Sequence, residues 1–206
     1  MPASHRSALV HLRRVDPVLA EIIARVGSPP PPPRRTGTHY DALVRAIVYQ
    51  QLSGKAAGTI HRRFRELYPK KRPRAELVLL TSDEVLRGAG LSRQKIGYLR
   101  DLSARVADGS LPLAHLGRLP DDEIIAHLIQ VKGIGRWTVQ MFLMFRLGRP
   151  DVLPELDLGI QNAIQRAYGL KKRPTPKDVL RLGEKWRPHA TTAAWYMWRS
   201  LENGTG

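Results

Sequence analysis

Two glycines flank one apolar residue at Gly133-Ile134-Gly135, between the segment Leu128-Ile129-Gln130-Val131-Lys132 and the segment Arg136-Trp137-Thr138. This spacing suits a sharp hairpin between two helices, because glycine reaches left-handed backbone conformations cheaply and lets main chain come close to a ligand. The helix that starts after the hairpin turns its N–H groups and positive dipole end outward, where they can hold a phosphate. Ile134 points back between the two helices and ties them together. Lys132 and Arg136 bring positive charge to the turn, and Thr138 lies in the first turn of the second helix. The chemistry is a grip on a nucleic-acid backbone that ignores base sequence. A G-x-G alone carries little weight; a helix, V-K-G-I-G and a very apolar helix in that order is more specific.

Other residues are ambiguous on their own. Asp157 follows Pro154 and precedes a helical pattern, so by spacing alone it reads as an N-cap. Trp198 shares an apolar helix face with Trp195 and Leu201, and Trp137 stands beside the hairpin; each reads as core or as a flat face for a ligand. Trp186 and Trp195 read as structural. Gln51 lies in the polar group Gln50-Gln51-Leu52-Ser53, where a solvated loop glutamine is one reading. His39, His61, His115, His127 and His189 have no zinc-type spacing, and the chain has no cysteine, which excludes disulfides, thiolate zinc sites and cysteine-ligated iron–sulfur clusters.

Charge points to the partner. Lys and Arg number 34 against 18 Asp and Glu, a formal net charge of +16. Such an excess favours a polyanion, since each cation set on a phosphate releases counterions; a basic enzyme from an arginine-rich proteome is the plain alternative. The clusters Arg62-Arg63-Arg65, Lys70-Lys71-Arg72-Arg74 and Lys171-Lys172-Arg173 are either solvated faces or phosphate contacts, and one of them is expected at a duplex. No apolar run approaches a membrane span, and residues 1–12 lack a secretory apolar core. A cytoplasmic, nucleoid-associated protein is expected.

The elements that position these residues read as all-α. Apolar residues recur at helical spacing from Asp16 to Val26; Asp41 is expected to cap a helix through Leu43 and Ile47, Ser53 one through Ile60 and Phe64, and Ser92 one through Ile96 and Leu99. Thr81 with Glu84 predicts a capping box. Further helices are expected at 121–130, from the hairpin to Gly148, and over 158–168, 176–186 and 189–201. Residues 28–37 contain five consecutive prolines and then Arg34-Arg35, a stiff connector or, less simply, a recognition motif.

The pieces Tyr49-Gln50-Gln51-Leu52-Ser53, Gly90-Leu91-Ser92 with Lys95, the hairpin with Arg136-Trp137-Thr138, and Leu156-Asp157-Leu158-Gly159 together resemble the helix-hairpin-helix DNA glycosylases, nearest the 3-methyladenine DNA glycosylase II type. The likeness runs from about residue 40 to 201. It implies an all-α fold of two helical subdomains, with DNA and the target base in a cleft between them. Residues 1–39 form an N-terminal helix and linker packed with the C-terminal helices, and residues 40–206 the core, with a middle subdomain of about 45–150 and the hairpin at 128–138. The resemblance makes Asp157 the catalytic carboxylate, which stabilises the oxocarbenium-like sugar formed as the base leaves. It places Trp137, Trp198 and Met141 around a flipped base, Met141 standing where some relatives have tyrosine. Gln51 matches the position whose side chain fills the gap in the duplex. DNA contacts are implied for Gln51, Lys132, Gly133, Ile134, Gly135, Arg136 and Thr138. Members that also cut the strand carry a lysine where this chain has Trp137, so simple hydrolysis is expected. No cofactor is implied beyond Na⁺ or K⁺ on the carbonyls of Ile129, Val131 and Ile134.

The expected activity is therefore base-excision repair of alkylated purines by a monomer acting on double-stranded DNA. A non-catalytic helix-hairpin-helix DNA-binding protein also explains the charge and the turn, though not an aspartate placed after the hairpin. An RNA- or ribosome-associated basic protein is a third reading.

Overall fold

The computed structural model describes residues 3–27, 30–33 and 36–202. Ser28, Pro29, Arg34 and Arg35 lie outside the described residues, so the connector is seen only at residues 30–33, which are not helical. Twelve α-helices and no strand occur among the described residues, as the sequence pattern predicts. Contacts divide them into two compact units, one from Arg35–Phe142 and one from Met1–Arg34 with Leu143–Gly206.

The first of these units holds α3 (His39–Tyr49), α4 (Gly54–Glu66), α5 (Ala75–Leu80), α6 (Asp83–Gly88), α7 (Arg93–Ala107), α8 (Asp121–Leu128) and α9 (Arg136–Phe142). Helix α7 is its axis: α3, α5 and α6 all pack on it. Leu43, Val44, Ile47 and Val48 from α3 meet Ile96, Leu99 and Leu102 from α7 in the core, all at most 3 % exposed. Ser53 and Ser92 cap α4 and α7 as expected, accepting from the N–H groups of Ala56 and Lys95. Two caps differ. Thr38, not Asp41, is the N-cap of α3, and Asp41 is the third residue of its capping box. Likewise Ser82 starts α6, while Thr81 ends α5 and donates its hydroxyl to the Leu77 carbonyl at 2.7 Å. In both cases the expected cap and the true one are short polar residues close in sequence, and the first helical turn selects between them.

Between α3 and α4, His61 packs edge-on against Tyr49, whose ring also carries Arg45 at 3.8 Å. Burial, reinforced by Arg65 and Arg45, lowers the His61 pKa to about 4 against an opposing pull from Asp41. The unfolded chain therefore takes up a proton here as pH falls below the ordinary histidine value, while the folded chain resists until about pH 4. Stability from this site is complete at neutral pH and lost between those two values. After allowance for partial exposure, His61→Gln should remove on the order of 2 kcal/mol of the acid-side loss. Denaturant midpoints at pH 7 and pH 5, variant against wild type, measure it.

The second unit holds α1 (Ala3–Val15), α2 (Pro17–Val26), α10 (Leu158–Ala167), α11 (Pro176–Gly183) and α12 (Ala190–Glu202). The sequence reading has one helix at this N-terminus from Asp16; the structure has two, broken at Asp16-Pro17, where Pro17 starts α2 and Asp16 caps it. Helix α12 packs on both α2 and α10, so the ends of the chain share one core.

Candidate functional site

The hairpin joins α8 to α9 through two tight turns, Val131 N–H to the Leu128 carbonyl (3.1 Å) and Ile134 N–H to the Val131 carbonyl (3.0 Å). Ile134 is 3 % exposed, so it anchors the turn from inside, and its contribution to any ligand is main chain only. Thr138 is buried too, and its side chain does not face solvent. Lys132, Gly133, Gly135, Arg136 and Trp137 are exposed. The start of α9, with its positive dipole end, thus opens at a basic surface.

This turn is held from behind by α7. The Lys132 N–H donates to Asp101 at 3.0 Å, and Arg105 donates to the same Asp101 oxygen at 3.0 Å. Burial alone would raise the Asp101 carboxyl, but these bonds and the nearby cations outweigh it and hold the group below its usual range. The Tyr98 ring lies against Gly133, whose φ is 79°. A Cβ at Gly133 would stand 2.1 Å from the Tyr98 ring and would hold a left-handed φ, so a larger residue strains the turn and displaces either it or the ring. Gly133→Ala should weaken binding to undamaged duplex at least about tenfold by displacing the turn. Fluorescence anisotropy at fixed ionic strength measures this; unchanged affinity would mean that the hairpin does not grip DNA.

Gln51 is exposed at the turn between α3 and α4, with φ at 57°. Its neighbour Gln50 donates its side-chain amide to the Gly133 carbonyl at 2.7 Å. The loop is thereby bound to the hairpin.

Asp157 belongs to the second unit, at the N-cap of α10, where its Oδ1 accepts from the Ile160 N–H at 2.8 Å. The Trp198 indole N–H donates to the same oxygen at 2.8 Å. Capping and orientation by a tryptophan therefore coexist on one carboxylate. The loop delivering Asp157 is anchored on both sides. Residues 152–155 are buried, Gln161 donates to the Glu155 carbonyl at 2.9 Å, and Thr191 accepts from the Val152 N–H at 3.0 Å while donating to the Arg149 carbonyl at 2.7 Å. Asp151 adds a bond to Arg187 at 2.8 Å. Around the half-buried carboxylate stand exposed apolar residues, with Leu156 47 %, Leu158 58 % and Phe145 39 % exposed. A carboxylate fixed by two donors beside apolar surface can stabilise a cation strongly, because that surface screens poorly.

Phe145 escapes the sequence reading, which has one α-helix from the hairpin to Gly148. Instead α9 ends at Phe142 and residues Leu143–Leu147 form a π-helical turn. That insertion brings Phe145 against Trp198, ring centroids 5.9 Å apart. The Asp157–Trp198 bond had a signal in the sequence: Gly159. A Cβ there would lie 2.9 Å from Asp157 Oδ1 and 3.0 Å from the Trp198 ring, so the bond needs glycine two residues after the aspartate.

Among the described residues no group of three or more His, Cys, Asp or Glu could hold a metal ion, and no helix is long and apolar enough to cross a membrane. The basic clusters are partly self-engaged: Glu66 pairs with both Arg62 (3.0 Å) and Lys71 (3.6 Å).

Residues 44–189 match the HhH-GPD superfamily of base excision DNA repair proteins. The chain belongs to that superfamily. Its relatives include DNA-3-methyladenine glycosylase 1 of Schizosaccharomyces pombe, 36 % identical over 94 % of this chain and 86 % of that protein. YfjP of Bacillus subtilis is 36 % identical over 79 % of this chain, which spans 59 % of that longer protein. The solved Schizosaccharomyces pombe 3-methyladenine DNA glycosylase in complex with abasic DNA has a TM-score of 0.84 at 36 % identity, covering 95 % of this chain and 97 % of that one. The all-α superfamily fold expected from the motifs is the fold of this chain.

Proposed function

We propose that this chain is a monofunctional DNA-3-methyladenine glycosylase that hydrolyses the N-glycosidic bond of alkylated purines flipped from double-stranded DNA. The observation that carries this reading is the Asp157 carboxylate, fixed by the Ile160 N–H and the Trp198 indole at 2.8 Å each beside exposed apolar residues. The 36 % identity to the Schizosaccharomyces pombe enzyme over nearly the whole chain supports the substrate class.

In this reading the hairpin holds the strand by main-chain amides, Lys132 and Arg136, and Gln51 occupies the gap left by the extruded nucleotide. A methylated purine carries positive charge, for which Trp137 and Trp198 each offer an electron-rich face and Met141 an adaptable side chain. The C1′–N bond breaks and its electron pair leaves with the base. Asp157 then faces the positive sugar and orients the water that adds to C1′. That water gives up its proton to the Asp157 carboxylate, and an abasic site with intact backbone remains. The carbonyls of Ile129, Val131 and Ile134 suit a monovalent cation, being neutral oxygen donors on one turn; that of Val131 already accepts the Ile134 N–H at 3.0 Å and keeps a second lone pair. Duplex DNA is the partner of a monomer working on the nucleoid.

Trp137 cannot form a Schiff base. Incubated with borohydride, damaged duplex should give no covalent protein–DNA adduct, and the product strand should break only on later alkali treatment. A trapped adduct would contradict the monofunctional reading.

A further inference from the structure

Gln51 holds a left-handed backbone conformation without being glycine (φ 57°), a state that persists only where surroundings enforce it. The main chain just before it is bound by Lys95, whose sequence neighbourhood marks it only as part of a motif. The Lys95 ammonium donates to the Val48 carbonyl at 2.7 Å and to the Gln50 carbonyl at 2.9 Å, closing the C-terminal end of α3 where the helix dipole favours a cation. Both carbonyls lie on the N-terminal side of the strained residue, that of Gln50 in the peptide bond just before it, and the Gln50 side-chain amide is in turn bound to the Gly133 carbonyl. Burial lowers the Lys95 pKa, consistent with an ammonium drawn partly out of water. Tyr98 and Asp101, three and six residues further along α7, hold Gly133 and the Lys132 N–H. One helix therefore grips both the Gln51 loop and the hairpin.

We propose that Lys95 is a positioning residue for base extrusion: its grip on the Val48 and Gln50 carbonyls holds Gln51 in the conformation that fills the vacated space, in register with the hairpin. This rests on the reading of Gln51 as the gap-filling residue. A residue acting in this way matters when a base pair must be opened and matters little when the lesion is already unpaired.

The test uses an oligonucleotide with a single adenine, methylated and annealed to a complement carrying either thymine or a tetrahydrofuran abasic analogue opposite it. Single-turnover release of 3-methyladenine is compared for wild type, Lys95→Met, Lys95→Arg, Gln51→Ala and the Lys95→Met/Gln51→Ala double variant, with thermal unfolding midpoints as folding control. Lys95→Met should slow release from the thymine-paired duplex about tenfold. It should change release opposite tetrahydrofuran less than about twofold and add nothing to Gln51→Ala. Lys95→Arg, which keeps two donors, should recover most of the rate. Equal loss on both duplexes, or full loss still added in the Gln51→Ala background, overturns the proposal. Should Lys95→Met not fold, Lys95→Gln, which is shorter and uncharged, decides by the same ratio: it should cost more on the thymine-paired duplex than opposite tetrahydrofuran, and equal loss on both overturns the proposal. If Gln51→Ala shows no preference for the paired duplex, the gap-filling reading fails and the proposal with it. If wild type releases nothing from either duplex, it is the glycosylase reading that fails.

Discussion

Asp157→Asn should keep duplex binding within about twofold of wild type while lowering base release by at least about a thousandfold. The substitution is nearly isosteric, and an amide oxygen can still accept from Ile160 and Trp198, which donate at 2.8 Å in the native site. The fold and the start of α10 are therefore retained. What disappears is the negative charge that the proposed mechanism sets against the positive sugar, beside the apolar side chains of Leu156, Leu158 and Phe145. DNA contact is assigned to a different part of the chain, the hairpin at 128–138, so binding should be untouched. A companion change, Trp198→Phe, removes only the second donor and separates orientation of the carboxylate from its charge.

A different aspartate carries the largest expected effect on stability. Asp16 is 0 % exposed, yet it is ionised among donors: Trp186 Nε1–H at 2.7 Å, Lys185 Nζ at 3.1 Å, the Leu19 N–H at 3.2 Å and the Tyr168 hydroxyl. Burial pushes its carboxyl up, but the bonds from Tyr168, Trp186, Leu19 and Lys185 together exceed that push and leave the group below its ordinary value. Asp16→Ala would strand a buried indole N–H and a half-buried phenol and leave the Lys185 ammonium without its carboxylate. It should cost about 3–5 kcal/mol in urea unfolding, enough to unfold many domains of this size. The pH dependence follows from a depressed folded-state pKa. The stabilisation is present above the unfolded carboxyl value and is lost as pH falls through the lower folded one, so wild type should lose more stability than Asp16→Ala under strong acid. A cost below about 1 kcal/mol would mean that the network contributes little.

The helix-forming pattern, the caps at Ser53, Ser92 and Asp157, and the hairpin were legible in the sequence because each is set by residues within a few positions. The Asp16 network was not: Tyr168 and Trp186 lie 152 and 170 residues away, and no local pattern records such a meeting. Asp16 simply looked like the start of a helix. The π-turn at residues 143–147 was hidden for another reason, since Leu143-Met144-Phe145 continues an apolar α-helical pattern well and only packing selects the wider turn. Asp157 shows both limits at once. Its capping role was readable from position, its catalytic assignment came with the family motif, and its bond to Trp198 left only the indirect trace of Gly159.

One assay reaches the heart of this account: chromatography of free bases released from methylated duplex DNA, wild type against Asp157→Asn. Wild type should liberate 3-methyladenine and leave alkali-labile strands, and the variant should liberate almost none while still binding. Strong binding by wild type without any released base would instead describe a protein that holds DNA and performs no chemistry on it.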